Sequence, residues 1–334
     1  MNSKIKQAVQ LTVFLLIGIV LLYFAFRGID LNELMVHLKQ ADFKWVALSL
    51  VFAVLGLVFR AIRWRMLMEP IDAHPKLLNI LHAINVGYLA NFVFPRIGEI
   101  TRCGILNRTD GLPVDKAFGT VIVERLFDVL MVFVMLALML LFNFQLISDF
   151  LVNYIFEPLA RNLPGTSSAL WVAGVAVGVV IAVYLLFKLF RRQLAGSAVW
   201  QKVKGWLKGI LDGIQSVRRM KRFGLFWVLN VLVFAMYFMQ TYMMFFAFES
   251  TSSLGLSDAL FVLVITTMAM IVPVQGGIGA YHGTVSIGLT VFGLTRMEGM
   301  VYATMSHTTT SLLFIVLGTV SLIFVFAKYK AGGK

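Results

Sequence analysis

Three charge-free apolar stretches, residues 46–59, 129–142 and 312–327, restrict this chain to folds that a membrane can hold. Each belongs to a longer hydrophobic segment, and about 20 such residues in a helix cross the hydrocarbon layer. Composition agrees. The 334 residues are 60% hydrophobic and 13% charged, whereas soluble domains carry about 45–50% apolar and about 25% charged residues. An all-α polytopic membrane protein is expected. The first apolar segment follows Lys4 and Lys6 and runs to Phe26 without a small-residue cleavage site. It reads as a retained span and not as a signal peptide. Cys103 is the only cysteine, so no intrachain disulfide can form.

The formal net charge is +13. In a soluble protein that could mark a nucleic-acid partner. Here the basic residues gather in loops between apolar segments, which is how cytoplasmic loops beside anionic lipid look, so no nucleic acid is expected. The most basic loop, 188–222, sets ten Lys and Arg against Asp212 alone. Lys4, Lys6, the Arg60/Arg63/Arg65 cluster and the tail lysines Lys328, Lys330 and Lys334 join it on the cytoplasmic side. The loops 145–168 and 249–258 are poor in Lys and Arg and face outward.

Spans are expected at 9–26, 45–68, 118–144, 169–190, 223–248 and 299–327. Counting crossings leaves two segments that must enter and return on one side, 77–112 from the inside and 256–294 from the outside. The first is interrupted at Pro95 and Gly98, the second at Pro273, Gly276, Gly277 and Gly279. About six transmembrane helices plus two oppositely oriented re-entrant hairpins would form an inverted repeat within a single domain, 1–334. The first repeat is 45–144, the second 223–327, and 191–222 is a basic, amphipathic cytoplasmic segment. Ordinary kinked spans in each hairpin region are the alternative, since short apolar limbs are ambiguous by hydropathy. Outside the membrane, Asp30-Leu31-Asn32-Glu33 has capping-box spacing and starts a short outer helix.

Ionisable residues inside a membrane are costly, so each is a candidate for function. Glu124, Arg125 and Asp128 lie within the third span, and Glu124 and Asp128 share a helix face. Arg96, Glu99 and Arg102 follow the first break. Two readings stay open. Arg96 and Arg102 lock the hairpin to the span by pairing with Glu124 and Asp128, or the set binds a lipid head group, arginines on phosphate and carboxylates on an amine or proton. Gln275, Tyr281 and His282 surround the second break, where glycines let backbone approach a ligand or a neighbouring helix. His307 reads as an interhelical hydrogen-bonder. Asn85, Tyr88 and Asn91 share one face of the first limb, facing a polar cavity or bonding the returning limb. There is no Gly-rich phosphate loop, no histidine pair with metal-ligand spacing and no long extramembrane segment, so neither an enzyme nor a metal or cofactor is expected.

Four motifs in order carry a resemblance. They are Arg60-Ala61-Ile62-Arg63-Trp64; Asn91 to Arg102, with Phe94-Pro95-Arg96-Ile97-Gly98-Glu99 at its centre; Glu124-Arg125-Leu126-Phe127-Asp128; and Pro273-Val274-Gln275-Gly276-Gly277-Ile278-Gly279. The chain resembles the flippase-like, lysylphosphatidylglycerol synthase transmembrane-region family. In multiple peptide resistance factors such a domain is joined to a soluble aminoacyl-lipid synthase, which is not among these residues, so lysyl-lipid synthesis is not expected. The resemblance implies a translocase of a polar-headed membrane lipid (a phospholipid, an aminoacylated lipid or a polyprenyl-phosphate-linked lipid) in a bacterial cytoplasmic membrane. It also implies a second reading, a non-catalytic partner of a glycosyltransferase or lipid synthase. A third, a lipid-modifying enzyme using Glu99, Glu124 and Asp128, is weaker. The family commonly has a glutamate shortly after Pro-Gly-Gly; here Gln275 precedes the glycine pair and Tyr281-His282 stands in the region of that acid.

Overall fold

The computed structural model describes residues 3–142, 174 and 222–329. The chain divides into two compact units, Met1–Met139 with Val217–Lys334, and Leu140–Ser216. The expected span at 169–190, the loop at 145–168, the amphipathic segment at 191–222 and the tail beyond Tyr329 lie outside the described residues, save for Gly174 and Arg222.

The described residues of the first unit are all-helical. In chain order they form α1 (Ser3–Phe26), α2 (Leu31–Lys39), α3 (Phe43–Met66), α4 (Leu77–Val93), α5 (Gly98–Asp110) and α6 (Val114–Phe142). After the undescribed stretch come α7 (Phe223–Phe245), α8 (Leu256–Ala269), α9 (Ala280–Leu289) and α10 (Arg296–Lys328). Four segments are long and apolar enough to cross a membrane: Phe43–Ile71, Val114–Phe142, Phe223–Phe245 and Arg296–Lys328. Leu16–Phe26, Leu77–Val93 and Leu256–Ala269 are shorter apolar helices. Within this frame the sequence expectations for 45–68, 118–144, 223–248 and 299–327 each correspond to one long helix.

Local chemistry sets the helix ends. The Asp30 carboxylate accepts from the amides of Asn32 at 2.8 Å and Glu33 at 3.3 Å, starting α2. Thr295 and Glu298 cap each other's backbone amides at the start of α10, satisfying donors that a helix leaves open. The two expected breaks are real interruptions. After α4 the chain is extended at Phe94, and Arg96 adopts φ of 64°, a left-handed conformation unusual for a side-chain-bearing residue. Gly98 is already the first residue of α5. Between α8 and α9 lie Pro273, a 3₁₀ turn at Gln275–Gly277, and three glycines with positive φ, Gly276, Gly277 and Gly279.

Helices α3 and α7 pack along each other, α4 packs on α5 and α10, and α9 packs on α1, α8 and α10. The core beside the first break joins Trp64, Met68, Ile80, Ala83, Cys103, Leu106, Ala117 and Phe226, all fully buried. Outward, Val316, Val320 and Ile323 present an exposed apolar stripe on α10, the surface that lipid chains cover.

The crossing of α4 and α5 depends on two glycines. A Cβ on Gly87 would stand 2.9 Å from the Gly98 carbonyl, and one on Gly98 would collide with the Gly87 carbonyl and the Asn91 amide. Gly98→Ala is therefore expected to destabilise the protein by about 1–3 kcal/mol, the usual overpacking cost. Gly104→Ala on the same helix meets nothing within 4 Å and should melt no lower than the parent protein. Thermal unfolding in detergent distinguishes them.

Candidate functional site at the first helix break

The last turns of α3 bring Arg60, Arg63 and Trp64 onto one face, the i, i+3, i+4 set of a helix. They turn inward, toward α6 and α5. On α6, Glu124 and Asp128 meet them one turn apart. Glu124 is completely buried and touches three guanidinium groups. Its Oε1 lies 2.9 Å from Arg60 Nε and 3.2 Å from Arg63 Nη2, and its Oε2 lies 2.7 Å from Arg102 Nη2. Asp128 accepts from Arg63 at 2.6 Å and from Arg125 at 3.2 Å, with Arg60 Nη2 at 3.9 Å. Arg125 reaches on to Glu99 of α5 at 3.4 Å.

Neutral groups hold the arginines in place. Arg63 donates to Asn230 Oδ1 at 2.8 Å, and Asn230 in turn donates to the Phe226 carbonyl at 2.8 Å. Arg60 donates to the Tyr88 hydroxyl at 2.9 Å. Arg102 lies over the Trp64 ring, 4.3 Å from its centre, and Trp64 itself donates to Thr120 at 2.9 Å. A planar, always-charged guanidinium suits such stacked and forked contacts where an ammonium would not.

The charges do not balance. Among the described residues, Arg60, Arg63 and Arg102, all more than nine-tenths buried, face only Glu124 and Asp128 as acids. Adding Arg125 and Glu99 still leaves four arginines against three carboxylates. Arg63 Nε and Arg102 Nε are buried without a hydrogen-bond partner. The cluster's exposed charged members are Arg125, Glu99 and Asp128, whose side chains are 42%, 27% and 18% exposed. A buried excess of positive charge with a partly open edge is the electrostatics of an anion site.

Sequence reasoning placed the residues only in part. Arg102, Glu124 and Asp128 do meet, as the ion-pair reading expects. Arg96 does not join them: its guanidinium donates to the Ile271 carbonyl at 2.7 Å, tying the first break to the second. The left-handed backbone at Arg96 turns its side chain that way. Arg60 and Arg63, read as charges marking the cytoplasmic side, are also the buried heart of the cluster, because the face of α3 that carries them packs on Glu124 and Asp128 of α6. Their spacing with Trp64 was the available signal. Asn91 bonds the returning limb, its Oδ1 accepting from the Gly98 amide at 2.8 Å. Asn85 and His82 instead contact Ser321 of α10.

Gln275, Tyr281 and His282 lie apart from the arginines, at the second break. The three are buried. His307 Nε2 donates to the Gly276 carbonyl at 2.7 Å, the interhelical role expected of it. The Phe92 ring of α4 fills the space a Cβ on Gly276 would need, so the two breaks abut.

Long apolar helices around a buried ionic cluster define a multi-pass membrane protein. More particularly, the chain belongs to the lysylphosphatidylglycerol synthase TM region family, whose model matches residues 10–318. It is 28% identical over 130 residues to glycosyltransferase AglD of Haloferax volcanii, covering 39% of this chain and 21% of AglD. It is 25% identical over 156 residues to a UPF0104 membrane protein of Methanocaldococcus jannaschii, covering 46% of this chain and 44% of the relative. A UPF0104 membrane protein of Methanothermobacter thermautotrophicus is 22% identical over 310 residues, 85% of this chain and 86% of the relative. The chain thus spans less than half the length of the first two. No solved structure matches it.

Removing the shared acid should expose the imbalance. Glu124→Gln leaves three buried guanidinium groups with Asp128 alone and is expected to cost about 3–5 kcal/mol, the range for breaking a buried pair. Asp128→Asn, at the partly open edge, should cost less. Chemical unfolding in detergent micelles gives both values.

Proposed function

We propose that this protein translocates polar-headed lipids across the cytoplasmic membrane, the arginine cluster at the first break receiving the lipid phosphate. The observation that carries the reading is the uncompensated positive charge of Arg60, Arg63 and Arg102, reached past Arg125. A phosphate supplies the missing negative charge and takes forked guanidinium bonds. The abutting breaks support it further. Interrupted helices leave backbone groups free beside a substrate path, an arrangement common in transporters. In this reading the short helices around each break are two oppositely oriented re-entrant hairpins within six spans, with both termini cytoplasmic. The protein moves lipid and performs no covalent chemistry.

A second reading, a non-catalytic membrane partner of a glycosyltransferase, draws on the likeness to AglD, which bears that name. Transport separates the two. Purified protein in phosphatidylcholine vesicles, with acyl-labelled phosphatidylglycerol and a membrane-impermeant quencher, should bleach inner-leaflet label that empty vesicles protect. Equal bleaching in both would sink the translocase reading. Arg125→Gln removes one charge-assisted contact at the exposed edge and should slow transport about tenfold, as the loss of about 1.4 kcal/mol would, with little change in melting temperature.

A further inference from the structure

The second break holds a different chemistry from the first. Tyr281 and His282 of α9 meet Ser306 and His307 of α10. The two imidazole rings are 4.9 Å apart, and the Tyr281 ring is 4.9 Å from His307. The Tyr281 and Ser306 hydroxyls bond each other at 3.0 Å. Both histidines are more than nine-tenths buried. His307 is committed to Gly276 through Nε2, but His282 Nδ1 is buried without a partner.

An orphaned polar nitrogen in an apolar layer is costly and is kept where something else fills the place. What fills it must be neutral. Every ion pair among the described residues except His37–Glu33 of α2 lies at the first break. An ammonium arriving beside the histidine pair would lose its hydration and meet no carboxylate among the four residues of this cluster. A hydroxyl both donates and accepts, as imidazole, phenol and serine can in return.

The two places are linked along α10. Phe314 stacks on Tyr88, ring centres 4.5 Å apart, and Tyr88 holds Arg60. His307 lies seven residues earlier, roughly 10 Å of helical rise. Thr310, which accepts from Gln240 at 2.9 Å, falls between them. We infer that the His282/His307 cluster binds the hydroxyl groups of an uncharged, polyhydroxylated head group. The preferred lipid is then anionic at its phosphate and neutral beyond it, and amino-lipids are disfavoured. This rests on the translocase reading and names its substrate class.

The same vesicle assay tests it with five acyl- or prenyl-labelled lipids: phosphatidylglycerol, a glycosyl-phosphoryl polyprenol, phosphatidylethanolamine, lysyl-phosphatidylglycerol and phosphatidic acid. The glycerol or the glycosyl lipid should move at least tenfold faster than either amino-lipid, and which of the two does so identifies the source of the hydroxyls. His282→Phe should bring that lipid down to the phosphatidic acid rate while leaving phosphatidic acid itself unchanged. His282→Gln, which keeps a hydrogen-bonding group, should recover much of the preference, and Ser306→Ala should lower it independently. Amino-lipids moving as fast as phosphatidylglycerol, or His282→Phe slowing all five alike, would overturn the inference and leave translocation standing. No movement of any lipid overturns translocation itself.

Discussion

Glu124 lies between three guanidinium groups inside an apolar layer, and the packing of four helices follows from that arrangement. Arg60 and Arg63 bring α3, Arg102 brings α5, and Glu124 and Asp128 fix α6 against them. Asn230 extends the set to α7. Helices in lipid gain little from hydrophobic association, since the tails are as apolar as leucine. Ionic and hydrogen-bonded contacts therefore decide which faces meet. Such a cluster need not add net stability over an apolar core, but it strongly penalises any arrangement that leaves a charge unpaired.

The same penalty governs the breaks. Backbone that leaves the helix inside an apolar layer must bond elsewhere. At the first break Asn91 takes the Gly98 amide. At the second, His307 takes the Gly276 carbonyl and Arg96 takes that of Ile271. Each interruption is thus stabilised by a side chain from a neighbouring limb, and Arg96 makes one break a structural support of the other. The outcome is two adjoining polar places of unlike character, one cationic and one neutral.

Much of this was legible in the residues. Helices α3, α4, α6, α7, α8 and α10 follow from long apolar runs, and both breaks from Pro95 and from Pro273 with its glycines. The pairing of Arg102 with Glu124 was one of two readings that burial cost left open. Arg60 and Arg63 were harder. A basic cluster at the end of an apolar run reads equally as an anchor at the membrane edge and as a buried site, and only the contacts of that face of α3 with α6 separate the two. Arg96 was misread because a left-handed residue sends its side chain where helical spacing does not.

By itself, then, the sequence determined an all-helical membrane protein, the positions of its interruptions and the identity of its costly polar residues. All of these depend on local hydropathy, on proline and glycine, and on the price of charge in hydrocarbon. Tertiary structure alone decided which charges meet, that among the described residues one positive charge is left over, and that His282 and His307 adjoin across α9 and α10. Those facts depend on contacts between residues 22 to 167 positions apart, which no local pattern encodes.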